Sequence, residues 1–406
     1  MQALKGKVRA RLSPLVLDAL EMITRKYPEG RSSPPFEAVG ELSRLFTKDR
    51  SSLPRQYLGD PGYTAAYLSY FLPVNLCKIQ VLLDELSPDS IFEGRSDRIA
   101  VLDLGCGPGT GALAVLDWLH LRKPDHVSTL SVVAADASRE ALEQAEALWG
   151  AYCRGGGIIG AKLQAWEGNL ERLEKGQLGD RIRQGGPYDL IILANCLNEI
   201  FAGSADATTA RAQLLSDLLP LLAPHGTMMI VEPALRETSR QLHQVRDRLL
   251  QEKRCTVYSP CLHEKNCPAL ANPDDWCHEE RAWEPPAMIR KIDQEVGFIK
   301  DALKFSYLLL RTDGKTIVER RPDLYRVVSE LRELKGEKRA WLCNELGRQE
   351  VGRQDRLASA QNESLDQWHR GAIVQIERIV RKKHDGKPSA LGRIGRDASV
   401  QIIRSV

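Results

Sequence analysis

Three observations predict a doubly wound α/β fold, a parallel sheet covered by helices on both faces. Short apolar runs alternate with helix-compatible sequence, a glycine-rich turn directly follows the first run, and no internal repeat breaks the alternation. The runs are IAVLDLG at 99–105, SVVAAD at 131–136, YDLIILAN at 188–195 and GTMMIVEP at 226–233, with a further strand, LKFSYLLLR, at 303–311. Ahead of them, LVLDALEMITRKY and NLCKIQVLLDEL carry apolar residues at three-to-four spacing, so residues 1–92 read as an N-terminal helical cap. The sheet domain is expected over 93–311, with an irregular Cys-, Pro- and His-rich insertion at 255–285. A small basic C-terminal module is expected over 312–406, where LRELKGEKRAWLC should form a hairpin turning at Lys335 and Gly336.

At 43% hydrophobic and 27% charged over 406 residues, the composition excludes long disorder and a fibrous repeat. No apolar run approaches the ~20 residues of a membrane span. The basic start, MQALKGKVRARLSPLV, lacks the serine richness of a transit peptide. A soluble, monomeric, intracellular protein is expected. The net charge of +3 hides an asymmetry: residues 311–406 hold 21 Lys+Arg against 14 Asp+Glu, and the remainder 36 against 40. The basic end is either a nucleic-acid-facing module or a solvated basic face. Nine cysteines are too few for a disulfide scaffold of this length, and the number is odd. Cys255, Cys261, Cys267 and Cys277 nevertheless crowd into 23 residues.

Gly105, Gly107 and Gly109 lie between a strand and a helix, where a side chain would block close approach of a ligand and forbid positive backbone angles. Gly107, Gly109 and Ala112 also fit the dinucleotide pattern GxGxxA. Against that alternative, Asp103 sits inside the strand, and the next strand-end acid, Asp136, is 29 residues beyond Gly107 rather than ~20. The segment resembles motif I of Rossmann-like class I S-adenosylmethionine-dependent methyltransferases. That resemblance implies that Asp103 and the three glycines hold the methionine part of the cofactor, Asp136 the ribose, and Asn169 the adenine side. The end of the fourth run, NCLNEI, should face the methyl group, yet it carries neither (D/N/S)PP(Y/F/W) nor a Pro-Cys pair. Asn195, Asn198 and Glu199 are the catalytic candidates there, helix capping being their alternative role. Cys196 is a nucleophile or, as a small apolar-flanked residue, core filling.

The insertion reads C-x5-C-x9-C through Cys261, Cys267 and Cys277, with His263 and His278 nearby. Irregular backbone carrying several thiols is suited to a metal, because coordination replaces a missing core. Zinc through three cysteines and a histidine and an iron–sulfur cluster through four thiolates both remain open, with Cys255 or Cys343 as a fourth thiolate.

VEPALRETSRQLHQVRDRLL, YSPCLHEKNCPALANPDDWCH, LKFSYLLLR and WLCNELGRQEVGR together resemble the methyltransferase-like assembly factors of the mitochondrial small ribosomal subunit and their bacterial relatives, over about residues 55–370. The resemblance implies a class I methyltransferase fold with an inserted four-iron four-sulfur (4Fe-4S) cluster on Cys261, Cys267, Cys277 and Cys343. It also implies association with small-subunit ribosomal RNA, in the cytoplasm, or in the mitochondrial matrix of a eukaryote. Leu262 and Glu279 depart from the family pattern, which has proline and an aromatic there, and the acidic run before KFSY is thinned. For RNA phosphates the candidates are Arg348, Arg353, Arg356, Arg381, Lys382 and Lys383. Two alternatives stand beside an RNA methyltransferase: a non-enzymatic RNA-binding assembly factor, and a small-molecule methyltransferase with a structural zinc insert.

Overall fold

The computed structural model describes residues 10–25, 36–54, 57–86, 98–173, 176–381, 383–384 and 387–405. Among the described residues four α-helices precede the first strand: α1 (Pro14–Thr24), α2 (Phe36–Thr47), α3 (Pro61–Ala66) and α4 (Leu72–Glu85). Ser13 caps α1 by accepting from the Val16 N–H at 3.2 Å, with Pro14 in the first turn where no N–H is needed. α3 and α4 are joined by a widened turn at Tyr67–Phe71 into one helical run, Pro61–Glu85, long and apolar enough to cross a membrane. The expectation that no such stretch exists is therefore corrected. Asn75, Lys78 and Gln80 interrupt its apolar pattern in sequence, but 78% of its most apolar window is buried inside the protein, as in a core helix.

Strands and helices then alternate: β1 (Ile99–Leu104), α5 (Thr110–Arg122), β2 (Leu130–Asp136), α6 (Arg139–Gly155), β3 (Lys162–Glu167), α7 (Gln177–Gly185), β4 (Tyr188–Ala194), α8 (Ala207–Leu218), β5 (Leu222–Pro233) and α9 (Arg236–Gln251). Next come β6 (Thr256–Ser259), β7 (Glu279–Ala282), α10 (Ala287–Val296) and β8 (Ala302–Arg311). The strand order is β3-β2-β1-β4-β5-β8-β6, with β7 also on β8. β1 to β5 are mutually parallel, whereas β8 pairs antiparallel with β5, β6 and β7. The sheet is thus mixed rather than wholly parallel. All six β1 residues are buried, as expected where helices cover both faces. One face packs on the N-terminal helices with α5 and α6, the other on α7, α8 and α9.

A second sheet follows, built from β9 (Leu324–Val327), β10 (Arg332–Leu334), β11 (Glu337–Asn344), β12 (Gly347–Gln354), β13 (Ile373–Ile376), β16 (Leu391–Arg393) and β17 (Val400–Arg404), with β14 (Lys383–His384) and β15 (Lys387–Pro388) as a separate ribbon. Leu334 pairs with Glu337, so Lys335 and Gly336 form the expected two-residue turn, with Gly336 at φ +78°. Val327, Leu342, Val351 and Val374 centre this sheet's own apolar core.

Buried charge joins the three regions. The fully enclosed Glu85 carboxylate, at the end of α4, accepts from Arg281 of β7 at 2.7 Å, Tyr307 of β8 at 2.7 Å and Arg326 of β9 at 3.3 Å, and from Ser259 of β6. Arg326 also reaches Glu279 at 3.2 Å, and Arg281 reaches the same carboxylate at 3.0 Å. Burial alone would raise the Glu85 carboxyl, but Arg326 and Arg281 hold it down to about 2. Replacing Glu85 with Gln leaves two buried guanidinium groups short of charge, which should cost about 3–5 kcal/mol of stability. Urea unfolding monitored by tryptophan fluorescence checks this; a loss below ~1 kcal/mol contradicts it.

Candidate functional site

The glycine loop is tightly folded on itself. Gly105, Gly107 and Gly109 have φ of +63°, +52° and +81°, the left-handed region that side chains disfavour. A Cβ on Gly105 would lie 2.6 Å from that of Cys196, and one on Gly109 2.9 Å from that of Ala145, whereas beside Gly107 the space is open. The loop is thus pinned at both ends against neighbouring elements and free at its middle.

Its N–H groups are used internally. Gly105 and Cys106 donate to the Ala135 carbonyl at 2.8 and 3.2 Å, Gly109 to that of Cys106 at 3.0 Å, and Gly107 to the Asp136 carboxylate at 2.8 Å. At the start of α5, the Ala112 N–H donates to Asp103 at 2.8 Å, and Gly111 donates to the same carboxylate. Asp103 is almost completely buried, so its place as a residue touching the cofactor is corrected: it caps the helix from beneath. A pyrophosphate needs those same N–H groups, which gives the dinucleotide alternative a physical objection. Asp136, half-buried, also accepts from the Ser138 N–H at 2.9 Å and from the Ala137 N–H. Burial raises its carboxyl, with the Ser138 and Gly107 N–H groups opposing. Asn169 is exposed, and its side chain caps a short turn through the Glu171 N–H at 2.8 Å.

At the end of β4, Cys196 lies against Gly105 with its thiol 3.2 Å from the Leu104 carbonyl, and burial pushes that thiol well up. It fills space under the loop and is no thiolate nucleophile. Asn195 holds φ +59°, and its N–H bonds the Val231 carbonyl at 2.7 Å. Asn198 is buried, with its N–H 3.2 Å from Glu232 and its amide on the same carboxylate. Glu199 is exposed but set among other groups, and desolvation raises its carboxyl to about 7. The sequence reading missed Glu232, buried at the end of β5 and likewise raised by burial to about 7, and the aromatic groups of the helical cap beside it. The sole signal was the acid of the strand-end Val-Glu-Pro at 231–233.

The cysteine segment is moulded by one face of α9. Arg240 donates to the carbonyls of Ala269, Asn272 and Asp275 at 3.1, 2.7 and 2.7 Å. His243 lies 3.1 Å from the Cys277 carbonyl, and Arg246 donates to those of His263 and Lys265 at 2.6 and 2.9 Å. The Asp247 carboxylate accepts from the Cys267 N–H at 2.8 Å. Positions 240, 243, 246 and 247 follow helical spacing, a signal present in the sequence but hidden because its targets are backbone carbonyls. The sulfurs of Cys261, Cys267, Cys277 and Cys343 share one neighbourhood. Burial pushes the Cys343 thiol well up, and Cys277, Cys261 and Cys267 add to the shift. Burial likewise raises Cys277 to about 11, with Cys261 adding to the effect. Cys343 lies 3.8 Å from the His263 ring nitrogen. Among the described residues no three or more His, Cys, Asp or Glu side chains are gathered as they would be around one metal ion.

The predicted phosphate contacts separate. Arg353 is buried, bonded to the Asn362 carbonyl at 2.9 Å and to Asp366 at 2.8 Å, so it holds the second sheet together and its assignment to RNA is corrected. Arg348 is turned to the cysteine segment through Asp275 and stacks at 5.8 Å over Trp341. Arg381 donates to the carbonyls of Ser389 and Ala390 at 2.8 and 2.6 Å. Arg356 remains exposed, beside Gln354. Lys382 lies outside the described residues, and Lys383 is described only as backbone of β14.

The sequence profile of the mitochondrial small ribosomal subunit Rsm22 family matches residues 63–353, from the helical cap to the second sheet. The chain belongs to this family. The matched span of the Rsm22 family includes both the glycine loop and all four clustered cysteines. No curated protein matches the chain. Among solved structures it is similar to an O-methyltransferase family protein from Burkholderia thailandensis, at 17% identity over 74% of this chain and 72% of that chain, with a TM-score of 0.33. It is also similar to the small RNA methyltransferase HEN1, at 14% identity over 60% and 26% with a TM-score of 0.36. An rRNA methylase from Streptococcus thermophilus is similar at 13% identity over 57% and 96%, with a TM-score of 0.28.

Burial raises the Asp103 carboxyl from 3.8 to about 7 despite its N–H donors. Its ionisation therefore costs nothing below about pH 4 and destabilises the fold increasingly up to about pH 7, since the unfolded carboxyl ionises first. Relative to the parent protein, Asp103→Asn should gain stability progressively between pH 4 and 7 and no further above that. Parallel urea titrations across this range check it; a pH-independent difference contradicts it.

Proposed function

We propose that the protein binds S-adenosylmethionine at the glycine loop and acts on small-subunit ribosomal RNA during subunit assembly. The observation that carries this reading is a loop that offers open space at Gly107 beside the half-buried Asp136 carboxylate, while Asp103 occupies the helix N–H groups that a phosphate would require. The methionine part would lie along Gly105–Gly109, and Asp136 would accept from the ribose hydroxyls. When bound, the cofactor supplies an electrophilic sulfonium methyl. The chain then has to hold the acceptor in line with that methyl and take up the proton the acceptor sheds. Family membership supports the ribosomal partner. In a eukaryote that role belongs in the mitochondrial matrix, in a bacterium in the cytoplasm.

The second part of the proposal is a 4Fe-4S cluster on Cys261, Cys267, Cys277 and Cys343. Four thiols sharing one neighbourhood match in number the four thiolates that such a cluster takes, one on each iron. Arg246, beside Cys261 and Cys267, and Arg348, beside Cys343 and Cys277, would offset the thiolate charge. Such a cluster would tie β11 of the second sheet to the segment between β6 and β7.

One observation favours a second reading, an RNA-binding assembly factor without methyl transfer: Asn198, a candidate for the methyl end, has its N–H and its amide nitrogen committed to Glu232. Gly107→Arg separates the readings, because a Cβ there meets no neighbour and the side chain enters the open cradle, at the cost of the strain that φ +52° imposes. S-adenosylhomocysteine binding, measured calorimetrically, should be lost with the fold retained. Unchanged subunit assembly by this variant would favour the second reading. Anaerobically purified protein should absorb near roughly 400 nm, where thiolate-ligated iron absorbs, and Cys343→Ser should lower iron content. Zinc without iron would overturn the cluster, and failure to co-sediment with small-subunit particles would overturn the ribosomal role.

A further inference from the structure

The helical cap leaves a gap where it meets α6. The turn Tyr57–Gly59, the start of α3 and the last turn of α1 face the first half of that helix, and a cleft of about 290 Å³ opens between them. Two small residues, one from each side, make the space: Ala147 on α6, and Gly59, where a Cβ would meet nothing within 4 Å. The volume is near the lower end for small-molecule sites. Among the described residues, none from the glycine loop lines the cleft, nor does Asp136 or any residue at the end of β4, so it is separate from the cradle already described.

Its floor carries an unmet acceptor. Gln144 is 6% exposed, and its amide nitrogen is turned to the Thr64 hydroxyl at 3.5 Å. Thr64 has a single hydroxyl proton and donates it to the Leu58 carbonyl at 2.6 Å, so toward Gln144 it can only accept. That fixes the amide orientation and leaves the Gln144 Oε1 buried and, among the described residues, without a partner. A buried acceptor in that state is costly until a donor reaches it. Ile23 and Leu58, both buried, and Ala147 make the walls apolar. At the mouth stand two exposed carboxylates, Glu140 and Glu143, on the face of α6 that also carries Gln144. Glu140 accepts from the Ser138 hydroxyl at 3.0 Å, and Glu143 from Arg139 at 3.4 Å in a weak, solvent-exposed pairing. An anion finds no donor here. Among the described residues no Lys, Arg or His side chain lines the cleft, and the Tyr63 and Ala141 N–H groups at the starts of α3 and α6 are taken by Asp60 and Ser138, at 2.9 and 3.1 Å.

We infer that this cleft binds a linear aliphatic diamine or polyamine, with one ammonium on the Gln144 Oε1 and the other at the mouth with Glu140 and Glu143. Acceptors at both ends of an apolar passage call for a ligand with donors at both ends and methylenes between them. An ammonium has three N–H donors and no acceptor, which matches a lining whose polar side chains offer acceptors alone. Glu140 is one helical turn from Gln144, near enough to offset part of the cost of bringing a charge to the floor. The alkyl stem separates this ligand from a metal ion, which would gain nothing from Ile23, Leu58 and Ala147. The inference does not depend on whether the glycine loop holds a methyl donor.

The test uses the full chain and calorimetric titration at constant ionic strength with putrescine, n-butylamine and butanediol, which share a four-carbon stem and carry two, one and no ammonium groups. The parent protein should bind one putrescine per chain and no butanediol. It should bind n-butylamine more weakly than putrescine, by more than the statistical advantage of two like ends. Gln144→Leu, which removes the acceptor and keeps the bulk, should weaken putrescine roughly 10- to 150-fold, the worth of one hydrogen bond to a charged group. Glu140→Gln combined with Glu143→Gln, at exposed positions, should bring putrescine down to the affinity of n-butylamine. A thermal melt confirms that each variant is folded, and the glutamate pair decides the matter should Gln144→Leu fail to fold. No binding by the parent overturns the inference, and so does an unchanged putrescine affinity in folded Gln144→Leu. Equal affinity for putrescine and n-butylamine overturns it too, since the cleft would then take a single lysine-like ammonium. Displacement of putrescine by magnesium chloride at equal concentration would reduce the cleft to an acidic surface that gathers any cation. Competition by S-adenosylhomocysteine would place the diamine in the cofactor cradle, and either result also overturns the inference.

Discussion

The arrangement of the molecule depends on one carboxylate removed from water. Glu85 ends the long helix of the cap and meets side chains from β6, β7, β8 and β9, strands that belong to both sheets. Charges this deep contribute little net stability over an apolar substitute, because desolvation offsets most of their attraction. What they do impose is geometry: two guanidinium groups, two carboxylates and a phenol are satisfied together only when cap, main sheet and second sheet are in register. The C-terminal strand obeys the same constraint, since Arg404 of β17 donates to the backbone carbonyl of Glu85. The end of the cap's long helix is therefore fastened to strands of both sheets.

α9 plays the corresponding part for the cysteine segment. An irregular loop has unsatisfied carbonyls wherever it runs, and the guanidinium fork of Arg240 gathers four of them, that of Leu270 included. Arg246 and Asp247 hold the stretch around Cys267 from the next turn. These hydrogen bonds shape the backbone that carries Cys267 and Cys277. The segment combines a short apolar inventory with a long polar one, the reverse of the sheet it adjoins.

Much of this was legible in the sequence where a residue type has one physical use. Gly105, Gly107 and Gly109 announced positive φ, Lys335-Gly336 announced a tight turn, and the apolar runs announced buried strands. Strand direction was not legible, because LKFSYLLLR has the same apolar pattern whether it runs with or against β5. Nor did the positive charge of residues 311–406 disclose its partners: Arg353 faces Asp366 inside the module, whereas Arg356, three residues on, stands in solvent. The long cap helix stayed hidden for a related reason. Its polar residues, Asn75, Lys78 and Gln80, read as a surface in one dimension and lie in the interior in three.

The carboxylate of Asp103 beneath α5 has a consequence for selectivity among ligands. A helix N-terminus normally presents partial positive charge to whatever lies in front of it, and here that charge is met from within. Asp136, Glu199 and Glu232 add further carboxyls, all raised by burial and the last two to about 7, so this wall gains negative charge as the pH rises through neutrality. A sulfonium carries a positive charge, and the thioether left after its methyl departs does not. Where its carboxyls are ionised, the same wall would hold a charged donor more firmly than the neutral thioether and so favour exchange of product for fresh donor.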